Sequence, residues 1–165
     1  MFWLPKIRSS TCASVCRLRG FTAVEIVIAV MLLGILAAVA VPKFAASVSQ
    51  HRVEAAAKRI VADLDWAQQQ AAATSATRTV AFNTVAESYA LSATQDIDRP
   101  SEAYTVELAE HPYSADIFSA DFNGSSQLSF NGFGQASSGG TVVVKVGQQQ
   151  RTVTVSAQTG KASIL

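Results

Sequence analysis

Residues 19–42 read RGFTAVEIVIAVMLLGILAAVAVP and form the longest apolar run of the chain, with one acid inside it. From Phe21 to Val41, Glu25 is the sole charged side chain among 21 positions. A helix rises about 1.5 Å per residue, so this run is long enough to cross a hydrocarbon core of about 30 Å. We therefore predict a membrane-spanning helix over residues 21–42.

A charged residue such as Glu25 is unusual in such an apolar run. A charged side chain near the bilayer centre costs roughly 2.5–3.5 kcal/mol on insertion scales, so acids there tend to be functional or paired. A partner exists only if the chain is cut after Gly20, because Phe21 then carries a free α-amino group one helical turn from Glu25. Two simpler interpretations stay open: Glu25 is favoured by the helix N-terminus, and Gly20 merely separates a basic segment from the helix.

The stretch resembles the class III signal of type IV pilins and type II secretion pseudopilins. The resemblance rests on a basic leader ending in Gly20, the aromatic Phe21, Glu25 four residues later, an unbroken apolar stretch, and Pro42 at its end. It implies cleavage of the Gly20–Phe21 bond by a prepilin peptidase, which would then methylate the Phe21 amine. It also implies that Glu25 pairs with the Phe21 amine of a neighbouring subunit when the helices bundle into a filament.

The helical pattern continues past Pro42 as an amphipathic segment over residues 43–76. Proline removes a backbone donor, so we expect a bend at Pro42, with Gly34 as a second weak point. The predicted apolar face holds Phe44, Val48, Val53, Ala56, Ala57, Ile60, Leu64, Ala67 and Ala71, and the polar face holds Lys43, Gln50, Arg52, Glu54, Lys58, Arg59, Asp63 and Asp65.

From residue 77 the hydrophobic period changes to two, which predicts an antiparallel β domain over residues 77–165. The clearest hairpin alternates Val142, Val144 and Val146, turns over residues 147–150, and returns through Val153 and Val155. The other alternating pairs and triplets are Val80 and Phe82, Tyr89 and Leu91, Tyr104, Val106 and Leu108, and Leu128 and Phe130, with a last strand over residues 161–165. The fold class is therefore α+β: a long N-terminal helix whose second half packs on an antiparallel β-sheet, which is the pilin fold in outline.

The C-terminal part carries a second resemblance, to minor pseudopilins of the GspH/FimT type. Residues 130–134 form an F-x-G-x-G motif, a hairpin follows, and Thr159-Gly160-Lys161 gives a T-G-K ending. This resemblance implies a structural subunit, more consistent with a minor component than a major one, that assembles with other pilin or pseudopilin subunits from an inner-membrane platform. Whether a secretion pseudopilus, a type IV pilus or a competence filament receives it stays open.

Residues 1–20 are predicted to be a basic leader peptide. They hold four of the 13 Lys and Arg residues and none of the 12 Asp and Glu residues, so cleavage leaves nine basic against twelve acidic side chains and a charge of −3. Both cysteines, Cys12 and Cys16, lie there too, so the mature chain has no disulfide and its stability comes from its core. Many type IV pilins have a C-terminal disulfide, and its absence also favours a minor pilin or pseudopilin.

No catalytic, cofactor or metal motif is present, so we expect no enzyme activity, no cofactor and no metal ion. His51 and His111 are sixty residues apart. The acidic group Asp96, Asp98 and Glu102 lacks the glycine and closing glutamate of a calcium loop.

The resemblance also implies an alternative function, that of a competence minor pilin that contacts DNA. Lys145, Arg151 and Lys161 are scattered, have no aromatic residues between them, and belong to a mildly acidic mature chain. We therefore expect no strong DNA binding.

The resemblance places the N-terminus in the cytoplasm and the C-terminal domain in the periplasm, with one pass through the inner membrane. Charge alone does not decide this orientation, because four Lys or Arg residues lie near each side of the span.

Two rival interpretations assign the apolar segment a different role. Ala38-Val39-Ala40 is an A-x-A site that would release a soluble exported domain starting at Val41, and an uncleaved segment would be a single-pass anchor for a binding domain.

Overall fold

The computed structural model describes residues 20–95 and 103–165. The leader up to residue 19, with Cys12 and Cys16, and the acidic group Asp96, Asp98 and Glu102 lie outside the described residues. The chain divides into two compact units after Ala40, and the second comprises Val41–Leu165.

In the part of the chain that the structure describes, one helix, α1, runs over Ala23–Thr74. It is continuous through Gly34 and Pro42, and the bend expected there stays a prediction. At the C-terminal end, Ser75 adopts a left-handed conformation with φ of 50°. The Ala76 N–H donates to the Ala71 carbonyl over 3.2 Å. This is the Schellman pattern, which satisfies a terminal carbonyl and ends the helix.

The buried face of α1 matches the predicted stripe in its C-terminal half, with one error in the prediction. Val53, Ala56, Ala57, Ile60, Leu64, Ala67 and Ala71 are all buried. Asp63, which we predicted on the polar face, is buried with them and is 7% exposed. It lies three residues after Ile60 and four before Ala67, which is on the apolar stripe, and strands of the β domain cover it. Phe44, at the start of the predicted stripe, is instead exposed.

Within the described residues, the β domain consists of two four-stranded antiparallel sheets rather than the one sheet that the alternation predicted. The strands are β1 (Arg78–Asn83), β2 (Ser88–Gln95), β3 (Ala103–Glu107), β4 (Asp116–Asp121), β5 (Gln127–Phe130), β6 (Gly140–Val146), β7 (Gln149–Val155) and β8 (Ala162–Ile164). The strand orders are β3-β2-β1-β5 and β4-β6-β7-β8. Strand β4 was missed, because a register shift between Ile117 and Ser119 breaks its alternation and leaves Phe118 exposed.

The hairpin of β6 and β7 has a shorter loop than the sequence predicted. Val146 pairs with Gln149, so that the loop contains Gly147 and Gln148 alone. Gly147 has a φ of 57°, and glycine at the first loop position is typical of a type II′ turn, whose twist matches that of the strands. The inward valines of this hairpin are buried: Val142, Val144, Val146, Val153 and Val155.

Candidate functional site

The first half of α1 is an uncovered apolar surface. Every residue from 20 to 47 is exposed. The most apolar 18-residue window of the helix has a mean hydropathy of 2.8, and none of it is buried. Among the described residues, this one helix is long and apolar enough to cross a membrane. A continuous apolar surface of this length marks contact with a membrane or with other apolar helices.

The predicted cleavage and pairing residues lie at the beginning of this surface. Gly20 and Phe21 precede the helix, and both are exposed. Thr22 caps the helix: its Oγ1 accepts a hydrogen bond from the Glu25 N–H over 3.2 Å. Thr22 and Glu25 have the spacing of a capping box, a role that our sequence analysis missed although the T-x-x-E pattern signals it. Glu25 is exposed in the first helical turn, where the helix dipole favours a negative charge.

A polar group lies in the core of the second unit, between α1 and the first sheet. We call Arg59, Asp63, Tyr89 and Tyr104 the Asp63 cluster. Asp63 Oδ2 accepts hydrogen bonds from the Tyr89 hydroxyl over 2.5 Å and from Arg59 Nε over 3.1 Å. The Tyr104 hydroxyl donates to the same carboxylate over 3.3 Å and accepts a hydrogen bond from Arg59 Nη2. The carboxylate therefore joins the helix to β2 and β3.

The electrostatics of the cluster keep both tyrosines protonated and the arginine charged. Burial raises the pKa of Tyr89, and the negative charge of Asp63 raises it further. The pKa of Tyr104 is raised for the same two reasons. Burial by itself would lower the pKa of Arg59, but the Asp63 charge and Tyr104 outweigh that effect and raise it.

We expect the Asp63 cluster to make the fold sensitive to alkali. The pKa of Tyr89 is raised above the value of about 10 that it has in the unfolded chain, so the folded state keeps the proton longer. The contribution of Tyr89 to the free energy of unfolding is thus fully present below about pH 10. It falls as the pH rises further, by at most roughly 1.4 kcal/mol per pH unit for one proton. Denaturation of the parent and of Tyr89→Phe across this range measures the difference. Equal slopes for the two proteins would contradict the assignment to Tyr89.

A second contact joins α1 to the two C-terminal motifs. Gln68 Nε2 donates to the Gly134 carbonyl over 2.7 Å and to the Thr159 carbonyl over 2.8 Å. We call this arrangement the Gln68 clasp. It binds the F-x-G-x-G turn and the T-G-K ending to one point on the helix, although these motifs lie 66 and 91 residues from Gln68.

The glycines of these motifs are required by close packing. A Cβ atom on Gly132 would lie 2.7 Å from the Ser75 carbonyl carbon. Gly160 has a φ of 69°, and a Cβ there would lie 2.6 Å from Gln68 Nε2 and 3.0 Å from the Gly134 oxygen. The two motifs thus fit against the end of α1 because they have no side chains at these points.

The histidines and the C-terminal basic residues named in the sequence analysis lie in the described part of the chain. His51 is exposed on α1, and His111 is exposed in the turn between β3 and β4. Across residues 20–95 and 103–165, no three His, Cys, Asp or Glu side chains are close enough together to hold a metal ion. Lys145 lies over the Phe118 ring at 5.8 Å, and Arg151 Nη1 donates to the Gln150 carbonyl over 3.0 Å.

Comparison with known proteins gives one family and one solved structure. The family model described as "Type II transport protein GspH" matches residues 56–159. The crystal structure of the type IV minor pilin FimU from Pseudomonas aeruginosa (strain PAO1) is similar with a TM-score of 0.52 at 12% sequence identity. The similarity covers 70% of this chain and 89% of that chain. No curated protein sequence matches.

Proposed function

Because this chain belongs to the GspH family of type II transport proteins, whose model matches residues 56–159, we propose that it is a minor pseudopilin cut after Gly20 and assembled from the inner membrane. The predicted pilin fold is confirmed by the likeness to the minor pilin. The family is one of structural subunits, and the apolar N-terminal helix is consistent with anchoring by a single pass. The processing step, the assembly step and the orientation are our proposals.

The observation that carries the proposal is the exposed apolar half of α1, with an acid in its first turn. In the membrane this segment is solvated by lipid, and Glu25 lies near the interface at the cytoplasmic end. A prepilin peptidase cuts the Gly20–Phe21 bond, which lies in exposed chain just before the helix, and methylates the new amine. The helix then leaves the membrane and packs with the helices of other pilin or pseudopilin subunits on an inner-membrane assembly platform.

In the filament core, Glu25 pairs with the Phe21 amine of a neighbouring subunit. An uncompensated charge is costly in a dry apolar environment, so the pair is favourable only when the helices have the correct axial offset. This pairing gives Glu25 a function beyond the helix cap that it forms with Thr22.

Mass spectrometry of the mature N-terminus tests this proposal. We expect a chain that begins with methylated Phe21. A chain beginning at Val41 would show an exported soluble domain instead, and an intact leader would show an uncleaved anchor. Either result would overturn the proposed processing.

Two glycine variants sharpen the test. A Cβ atom at Gly20 or at Gly34 meets no atom within 4 Å, so a side chain at either position creates no steric conflict within the described protein. We expect Gly20→Val to retain the leader and Gly34→Ala to be processed like the parent. Normal cleavage of Gly20→Val would contradict recognition at this bond.

A further inference from the structure

Two basic residues that follow the apolar run have no role in the proposed function. Lys43 and Arg52 lie two and eleven positions beyond Val41 on α1. The proposed orientation puts both on the translocated side of the span, where Lys and Arg are usually few. Their presence on that side therefore requires a separate explanation.

The other basic side chains of this part of α1 have partners within the domain. Lys58 pairs with Glu54 over 2.7 Å, and Arg59 pairs with Asp63 over 3.1 Å. Among residues 20–95 and 103–165, by contrast, no hydrogen bond, ion pair or ring contact engages the side chain of Lys43 or Arg52. Residues 26–53 also contain no acid. These two charges are therefore available to a group outside the chain.

The balance of charge changes sign after this part of the helix. Residues 42–60 hold four basic side chains and one acid, whereas residues 61–165 hold five basic and ten acidic side chains. An anionic surface would attract the first segment and repel the second. Such an asymmetry is typical of chains that contact a membrane or a nucleic acid. Since the basic segment adjoins the apolar run, the membrane is the anionic surface beside it.

The geometry of the helix directs both side chains toward the apolar run. The Cα–Cβ bonds of a helix tilt toward its N-terminus, and long side chains lean the same way. At 1.5 Å per residue, Lys43 lies about 3 Å and Arg52 about 17 Å beyond Val41. A headgroup layer of about 5–8 Å and a Debye length of about 8 Å bring both charges within range of an anionic bilayer surface.

The two charges lie on opposite sides of α1. Nine residues separate them, which is about two and a half helical turns. A docked protein would contact one face of the helix, whereas lipid headgroups surround it. Lys43 is exposed and Arg52 is half-buried, and every residue from 20 to 47 is exposed. This distribution favours lipid over a protein partner.

We propose that Lys43 and Arg52 form a basic collar that binds the headgroups of anionic phospholipids while the subunit is stored in the membrane. Each Lys or Arg near an anionic surface contributes about a fivefold gain in affinity. The contact exists only while the helix is in the membrane, so it opposes extraction of the subunit. This inference rests on the proposed membrane anchoring and adds to it a preference among lipids.

Electron paramagnetic resonance of the full-length chain in lipid vesicles tests the proposal. The vesicles hold equal parts of phosphatidylglycerol and phosphatidylcholine, and the fraction of each spin-labelled lipid that the protein immobilises gives their relative affinity. We expect Lys43→Gln/Arg52→Gln to lower the preference for phosphatidylglycerol at least about fivefold. Its thermal midpoint should equal that of the parent, because neither side chain has a partner among the described residues.

The matched control is Lys58→Gln/Lys161→Gln, which loses the same charge. Lys58 lies about 26 Å beyond Val41, out of range of the headgroups, and Lys161 follows the segment that the Gln68 clasp binds. This control should keep the parental preference, and the basic leader affects all three chains equally. A parental preference in the collar variant, an equal loss in the control, or a parent that does not distinguish the two lipids would overturn the proposal.

Salt gives a second measurement. In 1 M salt the Debye length falls to about 3 Å, so the lipid preference of the parent should fall to that of the collar variant. A difference between the two chains that persists unchanged in 1 M salt would contradict an electrostatic contact.

These tests are separable from those of the proposed function. A parent chain that an alkaline carbonate wash removes from the vesicles would refute the membrane anchoring itself. An anchored parent whose lipid preference equals that of the collar variant would refute the basic collar alone.

Discussion

Replacing Glu25 with alanine is expected to reduce incorporation into filaments by at least tenfold, while cleavage and membrane insertion stay normal. The substitution removes a charge from an apolar segment, so insertion should if anything become easier. In the filament it leaves the Phe21 amine of the neighbouring subunit without a partner in a dry environment, and each 1.4 kcal/mol of that cost is a factor of ten. Pull-down of assembled filaments, with mass spectrometry of the membrane pool, measures both effects.

Two variants separate the pairing of Glu25 from its position in the helix cap. Glu25→Gln keeps a residue suited to a capping box with Thr22 but removes the charge, so it should assemble as poorly as Glu25→Ala. Glu54→Ala removes another acid of the same helix, which is half-buried and pairs with Lys58 over 2.7 Å, and should assemble normally. If Glu25→Gln assembled as well as the parent protein, capping would be the role of this residue and the pairing hypothesis would be wrong.

Replacing Asp63 with alanine is expected to lower the free energy of unfolding by about 2–4 kcal/mol, because it leaves the buried Tyr89 hydroxyl without its acceptor and Arg59 without its counter-ion. Unfolding by denaturant in detergent, followed by tryptophan fluorescence, measures this loss. The probe is well placed, since the Trp66 and Tyr104 rings are 5.5 Å apart and the other tryptophan, Trp3, lies in the leader.

The control for this variant is Asp65→Ala. Asp65 lies two residues further along α1 and is half-buried, so its removal should change the free energy of unfolding by no more than about 0.5 kcal/mol. Asp63→Asn, which keeps an acceptor but loses the charge, should fall between the two. A loss for Asp63→Ala no larger than that for Asp65→Ala would show that the cluster adds no net stability.

Hydrophobic alternation along the chain predicted most of the strands but not their arrangement in sheets. Six strands were visible because their apolar residues alternate, as do the valines of β6 and β7, and a seventh was predicted as a short strand after Thr159-Gly160. Strand β4 was not visible, because its register shift at Phe118 interrupts the period of two. The division into two sheets was also hidden, since alternation shows that a residue faces a core but does not tell which strand lies beside it.

The apolar N-terminal helix could be predicted because it depends on neighbours in the chain. The apolar run, the single acid within it, the basic leader, and the spacing of Gly20, Phe21 and Glu25 are properties of consecutive residues, and a helix can be inferred from them without any fold. The same locality made Thr22 identifiable as a cap, although we did not recognise it from the pattern.

The roles of Asp63 and Gln68 depend on the tertiary structure. Asp63 was predicted on the polar face of an amphipathic helix, and Gln68 was given no role from the sequence. In the structure, Asp63 accepts from tyrosines 26 and 41 residues away, and Gln68 donates to carbonyls 66 and 91 residues away. A buried polar side chain is stable only where partners are brought to it, and those partners come from chain segments that meet through folding. Local periodicity therefore determined the helix and most of the strands, whereas the folded chain alone determined which polar residues hold the helix to the sheets and how the F-x-G-x-G turn comes to lie at the end of α1.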